Sequence, residues 1–140
     1  SVISLGDDAF LFLVGRQIAL CDHRTKRLSF LMRDANNHVI TAAAKSSNCR
    51  LLALAERVGG EDGFAQITIL SLPRMDLPRA DRKANEELRV LSPSNKRCDL
   101  VGLCFTPDGK FVVSLSGMPD ATVTFWRWEI DKAIASHDIK

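Results

Sequence analysis

The sequence predicts an all-β fold in which similar groups of short antiparallel strands recur along the chain. The first observation is residues 105–128, where runs of alternating apolar and polar residues flank turn-forming residues, as half-buried strands do. The second is the turn signal Pro107-Asp108-Gly109, because Pro presets φ, Asp can bond its own backbone and Gly takes positive φ. The third is that the strand pattern occurs twice more upstream.

The elements of this segment follow in order. One strand ends at Phe105, and after the turn a second strand runs through residues 111–115. The chain turns again at Pro119-Asp120 and returns as a third strand over residues 122–128, which carries Trp126. We interpret Asp120 as the cap of a tight connection and Trp126 as a structural residue. Three such strands ending in Trp resemble one blade of a WD-repeat β-propeller.

Internal repetition extends this interpretation to the rest of the chain. The third-strand segment T-V-T-F-W-R at residues 122–127 matches Q-I-T-I-L-S at 66–71 and Q-I-A-L-C-D at 17–22. Both intervals between matches exceed the roughly 40–45 residues of this repeat class. Two loops account for the excess, at residues 58–63 and 73–87.

The resulting division treats residues 1–140 as part of one β-propeller. Residues 1–26 are strands a to c of a blade, 27–72 a second blade, 73–87 an inserted loop, 88–129 a third blade and 130–140 the outer strand of the next blade. About three blades do not close a ring, since propellers use typically four to eight. The chain also opens in a strand-like run without an initiator Met. We therefore expect the remaining blades to come from the rest of the same chain.

The amino-acid composition of the chain limits the classes of partner that we expect it to bind. The hydrophobic share is 46%, the charged share is 26% and the net charge is +2, which is ordinary for a globular protein. Apolar runs are only strand-sized and no leader pattern is present, so we expect no membrane partner and no export. Charges of both signs mix throughout, whereas a nucleic-acid face concentrates one sign, so we expect no nucleic-acid partner.

Catalytic and metal-binding patterns are missing from the sequence. Cys21, Cys49, Cys98 and Cys104 lack C-x-x-C spacing, and the three histidines are scattered, so we predict no metal and no cofactor. Neither a G-x-S-x-G elbow nor a P-loop is present, so no catalytic residue is assigned. We expect these thiols to be reduced, which suits a cytoplasmic location. His38 is interpreted as a loop residue or a remnant of a blade's polar network, not as a catalytic base.

The third strands depart from the WD-repeat pattern, in which they end in Trp-Asp. The equivalents here are Cys21-Asp22, Leu70-Ser71 and Trp126-Arg127. In blades of that pattern, a polar network of His, Asp, Ser or Thr and Trp side chains stabilises the sheet. This sequence largely lacks that network. We expect apolar packing between sheets to contribute more of the stability, at about 25 cal/mol per Å² of buried apolar surface.

Loops between an outer strand and the following first strand are the candidate partner-facing surfaces, because a rigid scaffold displays its loops. The residues assigned to this role are Arg33, Asn36, Asn37, His38, Asn95, Lys96 and Arg97. Residues 75–87 form a second candidate, interpreted as a disordered connection whose deletion leaves folding intact.

Four segments resemble axonemal WD-repeat proteins: residues 50–56, 65–72, 103–111 and 123–129. The most telling is Trp-Arg-Trp-Glu at 126–129. The resemblance implies a long, non-enzymatic protein of tandem propellers and coiled coil in the axoneme of motile cilia or flagella. Its implied partners are axonemal dynein, subunits of the inter-doublet regulatory complex and tubulin. Alternatives are a WD-repeat adaptor in ribosome biogenesis or trafficking, and an enzyme whose propeller gates a hydrolase domain.

Overall fold

The computed structural model describes residues 2–6, 8–14, 17–31, 38–60, 62–94, 97–119 and 121–139. In these ranges the chain forms twelve β-strands and two short 3₁₀ helices, Arg79–Asp81 and Trp128–Ile130. The strands are β1 Val2–Ser4, β2 Ala9–Val14, β3 Gln17–Asp22, β4 Arg27–Leu31, β5 His38–Lys45, β6 Leu51–Val58, β7 Phe64–Ser71, β8 Glu87–Leu91, β9 Leu100–Phe105, β10 Phe111–Ser116, β11 Thr122–Arg127 and β12 Lys132–Asp138.

The strands form three antiparallel sheets of four strands each. Their orders are β1-β2-β3-β4 in the first sheet, β5-β6-β7-β8 in the central sheet and β9-β10-β11-β12 in the third sheet. Each strand pairs with its neighbour in sequence, so every sheet is a meander. This arrangement confirms the predicted all-β class and agrees with a partial WD-repeat propeller of three blades.

The sheets are offset by one strand from the sequence units. Strand β4 pairs with β3, with Ile18 opposite Leu31, so residues 27–31 belong to the first sheet and not to the second blade. The physical reason is the four-residue turn at 23–26, which is too short for a crossover and returns the chain antiparallel to the strand just left. Strands β8 and β12 likewise close the central and third sheets.

The central sheet is buried on both of its faces. Side chains alternate across a strand, so Leu52 and Leu54 pack against the first sheet while Ala53 packs against the third. Ile67 and Ile69 also face the third sheet. One apolar cluster comprises Leu5, Ala9, Leu11, Ile18, Leu20, Leu31, Leu52, Leu54, Leu70, Leu72 and Met75. The other comprises Ala53, Ala55, Ala65, Ile67, Ile69, Leu91, Leu100, Val112, Trp126 and Trp128.

The first and third sheets each leave one apolar face open. On the first sheet, Val2, Leu28 and Phe30 are 60%, 58% and 54% exposed. On the third sheet, Phe111 and Phe125 are half-buried and belong to neither apolar cluster. These are the surfaces onto which further sheets of a propeller can stack.

The loop of residues 73–86 is integrated into the fold. Met75 is 8% exposed and belongs to the cluster between the first and central sheets. A 3₁₀ turn follows at Arg79–Asp81. The interpretation of this loop as a disordered, removable connection therefore does not agree with the structure. The prolines and mixed charges of this loop are typical of a solvated linker. The contacts that anchor the loop are made with another sheet, so the local sequence does not indicate them.

Replacing one leucine on a covered sheet face and one on an open sheet face tests which faces are buried. Leu54→Ala should lower the free energy of unfolding by about 3 kcal/mol, because Leu54 is fully buried and a cavity remains. The matched Leu28→Ala variant should lose less than about 1 kcal/mol, because that side chain is mostly exposed. Urea unfolding of the chain measures both, and equal losses would contradict the stacking described.

Candidate interaction surfaces

The turn between β9 and β10 is a hydrogen-bonded unit. Gly109 has a φ of +73°, and its N–H donates to the Thr106 carbonyl at 2.8 Å. The Asp108 carboxylate accepts the Thr106 hydroxyl at 2.7 Å, which, with a following backbone N–H, holds the pKa of Asp108 below its ordinary value. Trp128 Nε1 donates to the Gly109 carbonyl at 2.8 Å. The structure thus places Pro107-Asp108-Gly109 in a structural turn.

Trp126 takes part in a polar contact inside the third sheet. Its Nε1 donates to the Ser114 hydroxyl at 3.0 Å, and the two residues are 4% and 2% exposed. The bond joins β11 to β10 on the face that packs against the central sheet. It satisfies the indole N–H, which a buried Trp requires.

A second polar network lies in the central sheet, around a buried carboxylate. Glu56 is 1% exposed, and its two oxygens lie 3.1 Å from His38 Nδ1 and 2.8 Å from the Thr68 hydroxyl, which donates. His38 is the first residue of β5 and its side chain is 21% exposed, so its ring packs along the sheet. Sequence reasoning missed Glu56 and Thr68. The available signal was a polar residue within an apolar strand on each of β6 and β7.

Of the other residues predicted to face a partner, the structure describes only one. Arg97 is exposed in the connection from β8 to β9. The remaining predicted positions lie outside the described residues, and they are Arg33, Asn36, Asn37, Asn95, Lys96 and the turn residue Asp120.

Arg82 connects the 73–86 loop to the first sheet. Its Nη2 donates to Asp22 Oδ2 at 3.2 Å and to the Met75 carbonyl at 3.3 Å, and its Nε donates to the Leu77 carbonyl at 3.0 Å. Arg24 Nη2 donates to the same Met75 carbonyl at 2.7 Å. The Asp22–Arg82 pair is largely buried, so removing one partner leaves a charge poorly solvated.

The environment of Asp22 lowers the pKa of its carboxyl. Burial by itself raises the pKa, but the Arg82 hydrogen bond and the backbone N–H groups of Thr25 and Arg24 outweigh it. Asp22 is the acidic residue at the end of a third strand, in the place where the resemblance puts the Asp of Trp-Asp. Its observed role is to attach the loop of the next sheet.

This pKa shift predicts a dependence of stability on pH. Because the pKa is lower in the folded state, the contribution of Asp22 is complete above its unfolded value of about 3.9 and is lost as the pH falls through the folded value. Asp22→Asn should therefore be less stable than the wild type at pH 7, and the difference should shrink below about pH 4. Urea unfolding across this pH range measures it.

The matched control for this experiment is Asp76→Asn. Asp76 is bonded to Arg74 at 2.6 Å in the same loop, but both side chains are exposed, and an exposed ion pair contributes little. A larger loss for Asp76→Asn than for Asp22→Asn would contradict the role assigned to Arg82 and Asp22.

The described ranges lack two kinds of feature. Within them, no three or more His, Cys, Asp or Glu side chains are grouped so as to hold a metal ion. Likewise, no helical stretch there has the length and apolar character needed to cross a bilayer. Cys21, Cys49, Cys98 and Cys104 all lie in the described ranges, and no disulfide joins them.

Stacked four-stranded antiparallel sheets define the chain as part of a β-propeller-like protein. No protein-family model matches it, and no curated protein matches it. Among solved structures, it is similar to a chain in the crystal structure of the mitotic checkpoint complex, with 12% identity and a TM-score of 0.42. The match covers 92% of this chain and 48% of that chain, so this chain spans about half the length of the solved one. The fold assignment rests on the sheets themselves.

Proposed function

We propose that the chain is part of a non-catalytic propeller scaffold for protein–protein contacts. The observation that carries the proposal is the stack of three meander sheets, whose central member is buried on both faces. Such a stack is rigid and displays the loops between its strands at the ends of the sheets, where partners can meet them. The open faces of the first and third sheets are covered, in this proposal, by further blades of the same chain.

The setting proposed for this scaffold is the axoneme of motile cilia or flagella. There it acts as a structural adaptor of the cytoskeleton near the inner dynein arms and the inter-doublet regulatory complex, with dynein or regulatory-complex subunits and tubulin as partners. The support is the sequence resemblance to axonemal WD-repeat proteins, above all to the N-terminal propeller of cilia- and flagella-associated protein 57.

The structure gives the Trp-Arg-Trp-Glu segment of that resemblance a physical role. Trp126 and Trp128 are 4% and 8% exposed, and both belong to the apolar cluster between the central and third sheets. Their indole N–H groups donate to Ser114 and Gly109, in the second strand and in the preceding turn. The segment therefore stabilises the blade, and we assign the contacts with partners to the loops.

Fractionation of motile cilia tests the proposed setting. The full-length protein, carrying an epitope tag, is expected to remain with axonemes after detergent and high-salt extraction and to cross-link to dynein or regulatory-complex subunits. A purely nuclear or detergent-soluble distribution would overturn the axonemal proposal. Recovery with ribosome-assembly or vesicle-coat proteins, without dynein or tubulin, would support the alternative adaptor function.

Charge reversal in one predicted partner-facing loop sharpens this test. Arg97→Glu should weaken retention of the protein on axonemes, because the reversed charge faces the proposed partner. The control is Lys132→Glu, a charge reversal at another exposed position, the start of β12. Equal retention of the two variants would exclude the loop around Arg97 as the contact.

A further inference from the structure

The last residue of the third strand occupies an equivalent position in each of the three sheets. Asp22 ends β3, Ser71 ends β7 and Arg127 ends β11. Each of the three pairs with the first residue of the second strand in its own sheet. Because side chains alternate across a strand, each lies on the face that is turned toward the sheet that follows in the chain.

The first two sheets show how a side chain at this position is satisfied. Asp22 is 7% exposed, and its carboxylate accepts a hydrogen bond at 3.2 Å from Arg82, in the loop that precedes β8 of the following sheet. Ser71 is uncharged, and its hydroxyl accepts the Glu86 N–H at 2.7 Å within the central sheet. The charged residue is therefore paired by the following sheet, whereas the neutral one is satisfied within its own.

Arg127 is the charged residue at this position in the third sheet, where the next face is open. Its side chain is exposed, and the two turns at this end of the sheet are described throughout. Among the described residues, no carboxylate lies within ion-pair distance of Arg127, including Glu129 and Asp131, which follow it in the chain. Phe111 lies opposite Arg127 and Phe125 shares its face, and both rings are half-buried. The guanidinium thus borders an apolar surface.

Covering this face with another sheet removes water from the guanidinium of Arg127. A charge taken out of water is costly unless it gains a partner of opposite sign. The planar guanidinium presents paired N–H donors whose spacing matches the two oxygens of a carboxylate. A polypeptide that covers the apolar face without such a group would leave the charge unpaired, so the cover must supply an anion.

We propose that the third sheet is covered by a further blade of the same chain that carries an Asp or Glu paired with Arg127. This ion pair has the polarity of the Asp22–Arg82 pair reversed, because the cation lies on the third strand and the anion comes from the following sheet. The inference rests on the part of the proposed function that places further blades on the open faces, and it does not depend on the axonemal setting.

Carbodiimide cross-linking of the full-length protein tests this proposal, because the reagent joins an amine to a carboxylate only where the two are in contact. In the Arg127→Lys variant, the new amine should become joined to an Asp or Glu outside residues 1–140. The matched positive control is Arg82→Lys, whose amine should become joined to Asp22. Arg127→Gln, which has no amine, is the negative control.

Mixing isotope-labelled with unlabelled protein before cross-linking shows by mass spectrometry whether both cross-linked peptides come from one molecule. A link from position 127 to a second copy or to a different protein would overturn the proposed occupant. No link at position 127 in a preparation where the Arg82→Lys control is joined to Asp22 would overturn the ion pair.

A charge swap tests the energetic role of the pair. Arg127→Glu should lower the melting temperature of the full-length protein by several degrees, and changing the cross-linked acid to Arg in the same protein should restore it. Arg127→Lys should change the melting temperature less than Arg127→Glu. An unrestored melting temperature in the double variant would contradict direct pairing.

The thiol of Cys104 separates failure of the ion pair from failure of the proposed coverage. Cys104 is exposed and lies opposite Val113, on the same open face as Arg127. If iodoacetamide modifies Cys104 in the full-length protein only after unfolding and position 127 forms no link, a blade covers the face and the ion pair is wrong. If Cys104 reacts as fast in the folded protein as after unfolding, the face is open and the coverage in the proposed function is wrong as well.

Discussion

Burial of both faces of the central sheet is the constraint on which the rest of the structure depends. A strand presents alternate residues to opposite sides, and β6 and β7 carry buried apolar side chains on both faces of the central sheet, so this sheet must be covered twice. The first and third sheets provide the two covers, each through an apolar cluster. Polar contacts add to this packing: Ser47 donates to the Pro107 carbonyl at 2.8 Å, Arg57 pairs with Asp99 at 2.7 Å, and Arg82 reaches Asp22 from the 73–86 loop.

The same constraint explains why the stack suits an interaction role. A meander sheet places its turns at its two ends, and stacking fixes neighbouring turns relative to one another. Surface that is not used for stacking is then available at the loops. The buried networks around Glu56 and Trp126 lie within single sheets, so they stabilise blades without occupying these surfaces.

Much of the fold could be predicted from local pattern, and what could not depended on contacts between distant residues. Strands β9 to β11 and the turn at Asp108 follow from alternation and turn chemistry, which are local. The pairing of β4 with β3 was missed because the residue pattern of an outer strand does not indicate which sheet the strand joins. The anchoring of Met75 and Arg82 was missed because their partners lie far away in sequence. The hydrogen bond between Trp126 and Ser114 could be found only from the three-dimensional structure.

Hydrogen–deuterium exchange resolved by strand tests the central claim most directly. Amide hydrogens exchange slowest where their hydrogen bonds open only when the whole stack unfolds, and they exchange fastest at open sheet edges. The account predicts the slowest exchange in β6 and β7, intermediate rates in β2, β3, β10 and β11, and the fastest in the exposed outer strands β4 and β12. Exchange in β6 and β7 as fast as in β4 and β12 would contradict a central sheet covered on both faces.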